Sequence, residues 1–144
     1  MKKEKAESQN FILNKFRQGN LRVTPQRIII FNALLNDKSH PTADAVFKRV
    51  KKKIPNISFD TVNRTLLLFV RLGLLRLVEG YGPFRRFDTD ISDHHHFHCS
   101  KCNRIVDFYC SGFNYPEIPN QIKNRFTITG KRVVLEGLCD LCKK

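Results

Sequence analysis

This chain of 144 residues lacks the features that would place it in a membrane or outside the cell. No run of about 18 apolar residues occurs, so we expect no transmembrane helix and no membrane partner. The start is basic, but acids, Ser, Gln and Asn follow where a signal peptide needs an apolar run. Internal repeats and low-complexity tracts are also absent. These absences predict a cytoplasmic protein of one ordinary domain or two small ones.

Acidic residues are scarce relative to basic ones. The chain has 26 Lys and Arg against 13 Asp and Glu, for a formal net charge of +13. Such an excess favours a polyanionic partner, with nucleic acid ahead of an acidic membrane surface. The alternative is that the charge serves solubility alone.

The first eighty or so residues carry the signals of helices. Thr24, Thr42 and Ser58 can each cap a helix N-terminus, and apolar residues at helical spacing follow each of them. Gly19 and Gly73 stand where a left-handed residue can end a helix. His40 precedes a proline, so we expect an extended backbone there.

A short β-hairpin is predicted next, from "LLRLVEG" and "FRRFD", with its turn at Gly80, Gly82 and Pro83. Helices followed by a basic hairpin are the order of a winged helix-turn-helix, whose last helix enters the major groove of DNA. The predicted DNA-binding residues lie on that helix or on the hairpin: Ser58, Thr61, Asn63, Arg64, Arg71, Arg85 and Arg86. The alternative for the arginines is a solvated surface.

The last fifty residues read mostly as strands. The segments "HHHFHC", "RIVDFYC" and "TITGKRVVLEGLC" predict three strands, with a helix over "PEIPNQIKNRF" between the second and the third. The polar stretch "DTDISD" links the two halves. We therefore expect an α+β protein with a winged-helix domain at 1–87, a hinge at 88–93 and a second domain at 94–144.

Four of the five cysteines form two C-x-x-C pairs, Cys99 with Cys102 and Cys139 with Cys142. A two-residue spacer lets one turn supply two thiolates to a tetrahedral Zn²⁺. Four sulfurs leave no open position, so the predicted role is structural. The alternatives are a redox dithiol pair or free cysteines. Cys110 has no paired partner and is interpreted as a small packed residue.

Histidines are concentrated in "DHHHFHC". On a strand His94 and His96 face one side and His95 the other, so the first two can chelate one metal. The next strand adds Asp107, which is unusual between apolar neighbours unless something binds it. Together with Asp88 and His40, three imidazoles and two carboxylates predict a site for Fe²⁺, Mn²⁺ or Zn²⁺. The alternative is fortuitous metal affinity at the surface.

With these residues assembled, the chain resembles the ferric uptake regulator (Fur) superfamily. The likeness rests on "RVTPQR", "HPTAD", "ISFDTVNRTL", "LGLL", "RFD", "SDHHHFHCSKCNRIVDF" and "GLCDLC", in that order. It implies a homodimeric, metal-dependent repressor of double-stranded operator DNA, with a winged-helix domain and a C-terminal α/β dimerisation domain. It also implies that the four-cysteine zinc staples the dimerisation domain and that a second metal sets the angle between domains.

The resemblance is strongest to the peroxide-responsive branch of that superfamily. Iron-sensing members usually have Glu at the position of Asp107. Many iron- and zinc-sensing members have an additional C-terminal metal site that needs a histidine after His98, and this chain has none there. The likeness implies a regulatory site of Fe²⁺ or Mn²⁺ on five ligands: His40, Asp88, His94, His96 and Asp107. It further implies that hydrogen peroxide oxidises His40 or His94 in the iron form, whereas the manganese form binds DNA without being oxidised.

The chain departs from the superfamily pattern in two respects, and three alternative functions stay open. Asn63 stands where the superfamily usually has Tyr, and His95 or His98 could compete as ligands. The rivals are a Fur-like iron- or zinc-responsive repressor of metal uptake genes, a zinc-dependent hydrolase of nucleic acid, and a bare zinc-stapled interaction module. The hydrolase needs a general base, and no Glu lies near the histidine cluster, although Asp90 or Asp93 could serve. We therefore expect no enzyme.

Overall fold

The computed structural model describes residue 10 and residues 12–78, 84–114 and 118–144, apart from the side chains of residues 113 and 114. The chain divides into two compact units, Met1–Ile91 and Ser92–Lys144. The domain and hinge ranges expected from the sequence stay predictions, and the expected hairpin turn lies outside the described residues. None of the described helices has the length and apolar character needed to span a membrane.

The first unit contains a helical segment at residues 12–18 and three further helices. These are α1 (Pro25–Asn32), α2 (Ala43–Lys51) and α3 (Phe59–Arg71). The strands β1 (Arg76–Val78) and β2 (Arg86–Asp88) pair antiparallel. The helices bury one shared core in which the rings of Phe16, Phe31 and Phe69 lie 5.4 to 5.7 Å apart. The two contacts of Phe31 are edge-to-face, and such contacts add to the stabilisation from apolar burial.

The predicted N-caps of the three helices are confirmed. Thr24 and Thr42 accept hydrogen bonds from the backbone N–H groups three residues on. The Ser58 hydroxyl does the same for the N–H of Thr61 at 3.1 Å. Each cap satisfies one donor that the first turn of a helix would otherwise leave unpaired. The start of α3 is therefore fixed, which positions every side chain on its outer surface.

The two helix ends predicted at glycines have different outcomes. Gly73 has φ 69°, and the N–H of Leu74 beyond it donates to the carbonyl of Phe69 at 2.9 Å. The left-handed residue of the first helix, however, is Asn20 with φ 50°, so the expectation for Gly19 was wrong. A Cβ at Gly19 would lie 3.5 Å from the Leu72 Cβ, which is an ordinary van der Waals contact, so packing does not require a glycine there either.

The second unit is built on a three-stranded sheet. Its strands are β3 (His95–Cys99), β4 (Ile105–Phe108) and β5 (Val134–Gly137), in the order β4-β3-β5. β3 pairs antiparallel with β4 and parallel with β5. Two one-turn helices, α4 (Ser111–Asn114) and α5 (Asn120–Lys123), lie between β4 and β5 in the chain. The predicted strands and helix are present but shorter than expected.

Gly73→Ala is expected to destabilise the first unit by about 1 kcal/mol, because an L-residue is strained at positive φ. A Cβ there would meet nothing within 4 Å, so the cost is one of backbone conformation alone. Gly130→Ala is the matched control, since it has equal space and no positive φ. Urea unfolding monitored by circular dichroism measures both. Equal stability of the two variants would contradict the assignment.

Candidate metal centres and DNA-binding surface

The two C-x-x-C pairs come together in the second unit. The four sulfur atoms of Cys99, Cys102, Cys139 and Cys142 lie within 4.8 Å of one another, and those of Cys102 and Cys139 are 3.7 Å apart. A tetrahedral zinc with bonds of about 2.3 Å separates its sulfurs by about 3.8 Å. All four cysteines are free thiols. The cluster therefore has the donor chemistry and spacing to hold zinc.

Each pair is shaped by a turn at the end of a strand. Asn103 has φ 60°, and its N–H donates to the carbonyl of Cys99 at 2.9 Å, which closes the first turn. In the second turn the N–H of Cys142 donates to the carbonyl of Cys139 at 2.9 Å. Parallel pairing of β3 with β5 sets Cys99 opposite Gly137, so both turns leave the same end of the sheet. Sequence reasoning missed Asn103, although Asn tolerates a left-handed backbone.

The electrostatics of the cluster favour a bound cation. Backbone N–H groups of Cys102 and then Cys139 donate toward the Cys99 sulfur and lower the pKa of this thiol to about 6. The neighbouring Cys139 thiol raises the pKa of Cys142 to about 12. One thiolate is thus ready at neutral pH, while further ionisation is opposed by the crowding of sulfurs. A divalent cation removes that opposition, since thiolates bind it deprotonated.

A second group of donors lies on β3, on β4 and at the residue just before β3 in the same unit. The Nε2 atoms of His94 and His96 are 3.0 Å apart, and a carboxylate oxygen of Asp107 lies 3.8 and 3.5 Å from them, respectively. His96 is opposite Asp107 in the register of the two strands. His94 Nδ1 lies 2.9 Å from the carbonyl of Ser92, which fixes the ring and leaves the Nε2 lone pair for a metal.

The two spare histidines have separate surroundings. His95 points to the other side of the sheet, where its Nδ1 accepts a hydrogen bond from the N–H of Val133 at 3.2 Å. Its ring also lies 5.5 Å from that of Phe108. His98 is buried in the register between Ile105 and Glu136. His95 therefore uses one ring nitrogen within the sheet.

His40 and Asp88 face each other within the first unit. His40 Nε2 lies 3.7 Å from Asp88 Oδ2, and both side chains are buried. The other Asp88 oxygen accepts from the N–H of Asp90 at 2.8 Å, which orients the carboxylate. The expectation of an extended backbone at His40 was wrong, because its φ is 52°. Arg86 donates to the His40 carbonyl at 3.2 Å and helps to hold this uncommon conformation.

The predicted DNA-binding residues differ in whether their side chains already make contacts within the protein. Ser58 and Thr61 share a hydroxyl contact of 2.8 Å in the cap of α3. Arg64 Nε donates to the Asp60 carboxylate at 2.7 Å, while its side chain stays 75% exposed. Arg71 and Arg85 are exposed, whereas Arg86 holds the backbone of residue 40. Their contacts with DNA stay a prediction.

Comparison with known proteins identifies the class. Residues 18–135 match the model of the Ferric uptake regulator family, and the chain belongs to that family. It is accordingly a metal-dependent transcriptional repressor of this family and not an enzyme. The N-terminal helices fit a winged-helix DNA-binding domain, so the predicted α+β fold class is confirmed.

The chain is similar in sequence to two peroxide-responsive regulators and similar in structure to one ferric uptake regulator. The chain is 34% identical to the peroxide-responsive repressor PerR of Staphylococcus epidermidis, over 89% of this chain and 85% of that protein. It is 35% identical to the peroxide operon regulator of Bacillus subtilis, over 92% and 91%, respectively. The ferric uptake regulator Fur of Helicobacter pylori, which has three functional metal binding sites, superposes with a TM-score of 0.74 at 17% identity, covering 94% of this chain and 91% of that one. This last likeness concerns the fold alone.

Cys142→Ser is expected to abolish zinc binding and leave the second unit poorly folded, because three sulfurs cannot complete the cluster. Metal analysis by mass spectrometry and circular dichroism measure both effects. Cys110→Ser is the matched control, since Cys110 also is a free thiol but lies outside the cluster. A Cys142→Ser protein that folds normally without zinc would disprove the structural role.

Proposed function

We propose that this protein is a homodimeric repressor of operator DNA that responds to hydrogen peroxide through its own ligand histidines. A zinc ion on the four cysteines maintains the second unit. One Fe²⁺ or Mn²⁺ ion is held by five residues and controls DNA affinity: His40, Asp88, His94, His96 and Asp107. The observation that carries the proposal is the pair of buried imidazoles, 3.0 Å apart at Nε2, beside the carboxylate of Asp107.

The donor chemistry supports a first-row divalent ion. Imidazole nitrogens with carboxylate oxygens suit Fe²⁺, Mn²⁺ or Zn²⁺ better than soft thiolate-preferring ions. Two side chains are already oriented by backbone groups, His94 through the Ser92 carbonyl and Asp88 through the Asp90 N–H. Such outer contacts raise metal affinity, because less freedom is lost when the ion binds.

Ligands drawn from both units would make DNA affinity depend on the ion. To change an equilibrium between two domain arrangements from 1:99 to 99:1, the ion must favour one of them by about 5.5 kcal/mol. The first unit supplies two of the five proposed ligands: Asp88 in β2, and the one imidazole of His40, whose backbone carbonyl accepts a hydrogen bond from Arg86 of the hairpin. Loss of this one imidazole would therefore remove much of the coupling.

Peroxide sensing follows from the redox chemistry that ferrous iron supplies when bound, namely reductive cleavage of the peroxide O–O bond. In the net reaction one peroxide oxygen is added to an imidazole carbon and the other leaves as water. The ring is oxidised by two electrons and hydrogen peroxide is reduced. His40 and His94 are the proposed acceptors. An oxidised ring is a poorer ligand, so the repressor releases DNA and is consumed in the process.

Two further observations support the peroxide-responsive function over an iron- or zinc-level sensor. The curated relatives that match nine-tenths of the chain carry peroxide-responsive names. The carboxylate beside the histidine pair belongs to Asp107, the residue type of the peroxide-responsive branch that the sequence resembles, rather than to Glu.

Dilute peroxide should add one oxygen, about 16 mass units, to the iron-loaded protein on His40 or His94. Peptide mass spectrometry locates the addition. The manganese-loaded protein should stay unmodified. Because His94 and His95 share one peptide, fragment ions must separate them, and His95 should carry no oxygen, since its Nδ1 is engaged within the sheet. Oxidation confined to cysteines, or none at all, would favour a Fur-like repressor that responds to metal level only.

His40→Ala should weaken DNA binding at least about tenfold in the presence of Mn²⁺, because one of five proposed ligands is lost. The DNA is the duplex that the wild-type protein enriches from a random pool, measured by fluorescence anisotropy with and without a chelator. Ser39→Ala, an exposed neighbour, is the control. Chelation that leaves wild-type affinity unchanged would overturn metal control.

A further inference from the structure

The outer surface of α3 offers a small set of polar side chains at its N-terminal end. Val62, Leu66 and Phe69 are buried and fix which side of the helix faces the core. The N-terminal residues of a recognition helix are those that reach base edges in the major groove. Base specificity is thus decided by the polar residues of the first two turns.

Three of these residues already make side-chain hydrogen bonds within the helix itself. The Ser58 hydroxyl accepts from the Thr61 N–H and contacts the Thr61 hydroxyl, so both serve the cap. The Thr65 hydroxyl donates to the carbonyl of Thr61 at 2.7 Å. Each of these hydroxyls can still accept a hydrogen bond, but a single oxygen cannot make the two-point contact of an amide or a guanidinium.

Asn63 and Arg64 are differently placed. Within the described part of the chain, the Asn63 amide has no hydrogen-bond partner, so both its donor and its acceptor are available. Asp60 receives the Arg64 Nε at 2.7 Å, which restrains the side chain while the two terminal nitrogens remain to form a planar fork. Both side chains are therefore prepared for bidentate contacts.

We infer that Asn63 and Arg64 form the base-reading pair of this repressor, Asn63 for adenine and Arg64 for guanine. The inference rests on the proposed operator binding. An asparagine amide matches the N7 acceptor and N6 donor of adenine, and an arginine fork matches O6 and N7 of guanine. Successive helix residues project about 100° apart, so the two address different base pairs.

The consequence is an operator distinct from those of similar proteins. The superfamily that the sequence resembles usually has Tyr at the position of Asn63. A phenol has one hydroxyl and cannot make the two-point contact of an amide with adenine. The A·T pair read by Asn63 is accordingly a determinant that the usual tyrosine would not supply.

Selection from a random duplex pool tests the inference, using the full-length protein loaded with Mn²⁺. The wild-type motif should contain one fixed A·T pair and one fixed G·C pair in each half-site. Asn63→Ala should reduce preference at the A·T position about tenfold or more and leave the G·C position fixed. Arg64→Lys, which keeps the charge but loses the planar fork, should do the converse.

Arg71→Ala is the matched control on the same helix. It is exposed in the last turn, so its loss should weaken binding to all sequences about equally. Arg64 is 75% exposed, so its variant tests the pair even if Asn63→Ala folds poorly. If Arg64→Lys and folded Asn63→Ala both select the wild-type motif, the inference about base reading is wrong, while the proposed operator binding stands. No enriched motif with the wild type would overturn the inference together with the proposed operator binding.

Discussion

Four sulfur atoms crowded within 4.8 Å of one another are the constraint on which the unit Ser92–Lys144 depends. Among its described residues, the buried hydrophobic ones are Cys99, Ile105 and Cys139. Two of these three belong to the cluster itself. A core this small supplies little stabilisation, so a small unit of this kind needs a metal, a disulfide or association with another chain. The turns that carry the four cysteines would supply a metal to one end of the sheet, and the same sheet carries His96 and Asp107.

The first unit is stabilised differently. Its helices share an aromatic core, and their starts are capped by local hydrogen bonds that need no metal. It also carries most of the basic excess, with 18 Lys and Arg against 8 Asp and Glu, compared with 8 against 5 in the second unit. The division of work follows: one unit has the charge for a polyanion and folds through apolar burial, and the other has most of the metal donors.

The sequence predicted what local chemistry determines. At Thr42 and Ser58 the cap is a hydroxyl that accepts a hydrogen bond from the backbone N–H three residues later. The cysteine pairs depend on a two-residue spacer. The backbone of His40 could not be predicted, because its positive φ is held by Arg86, 46 positions away. The length of β5 was also missed, since pairing with β3 limits that strand to Val134–Gly137.

The hydrogen bond from Arg86 to the carbonyl of His40 joins the hairpin to the backbone of a proposed metal ligand. Equilibrium linkage is reciprocal: if the bound ion raises the affinity for DNA, bound DNA raises the affinity for the ion by the same factor. Repressor molecules bound to DNA would then lose the ion last when the metal supply falls. Genes whose operators bind the repressor tightly would be expressed later than genes whose operators bind it weakly.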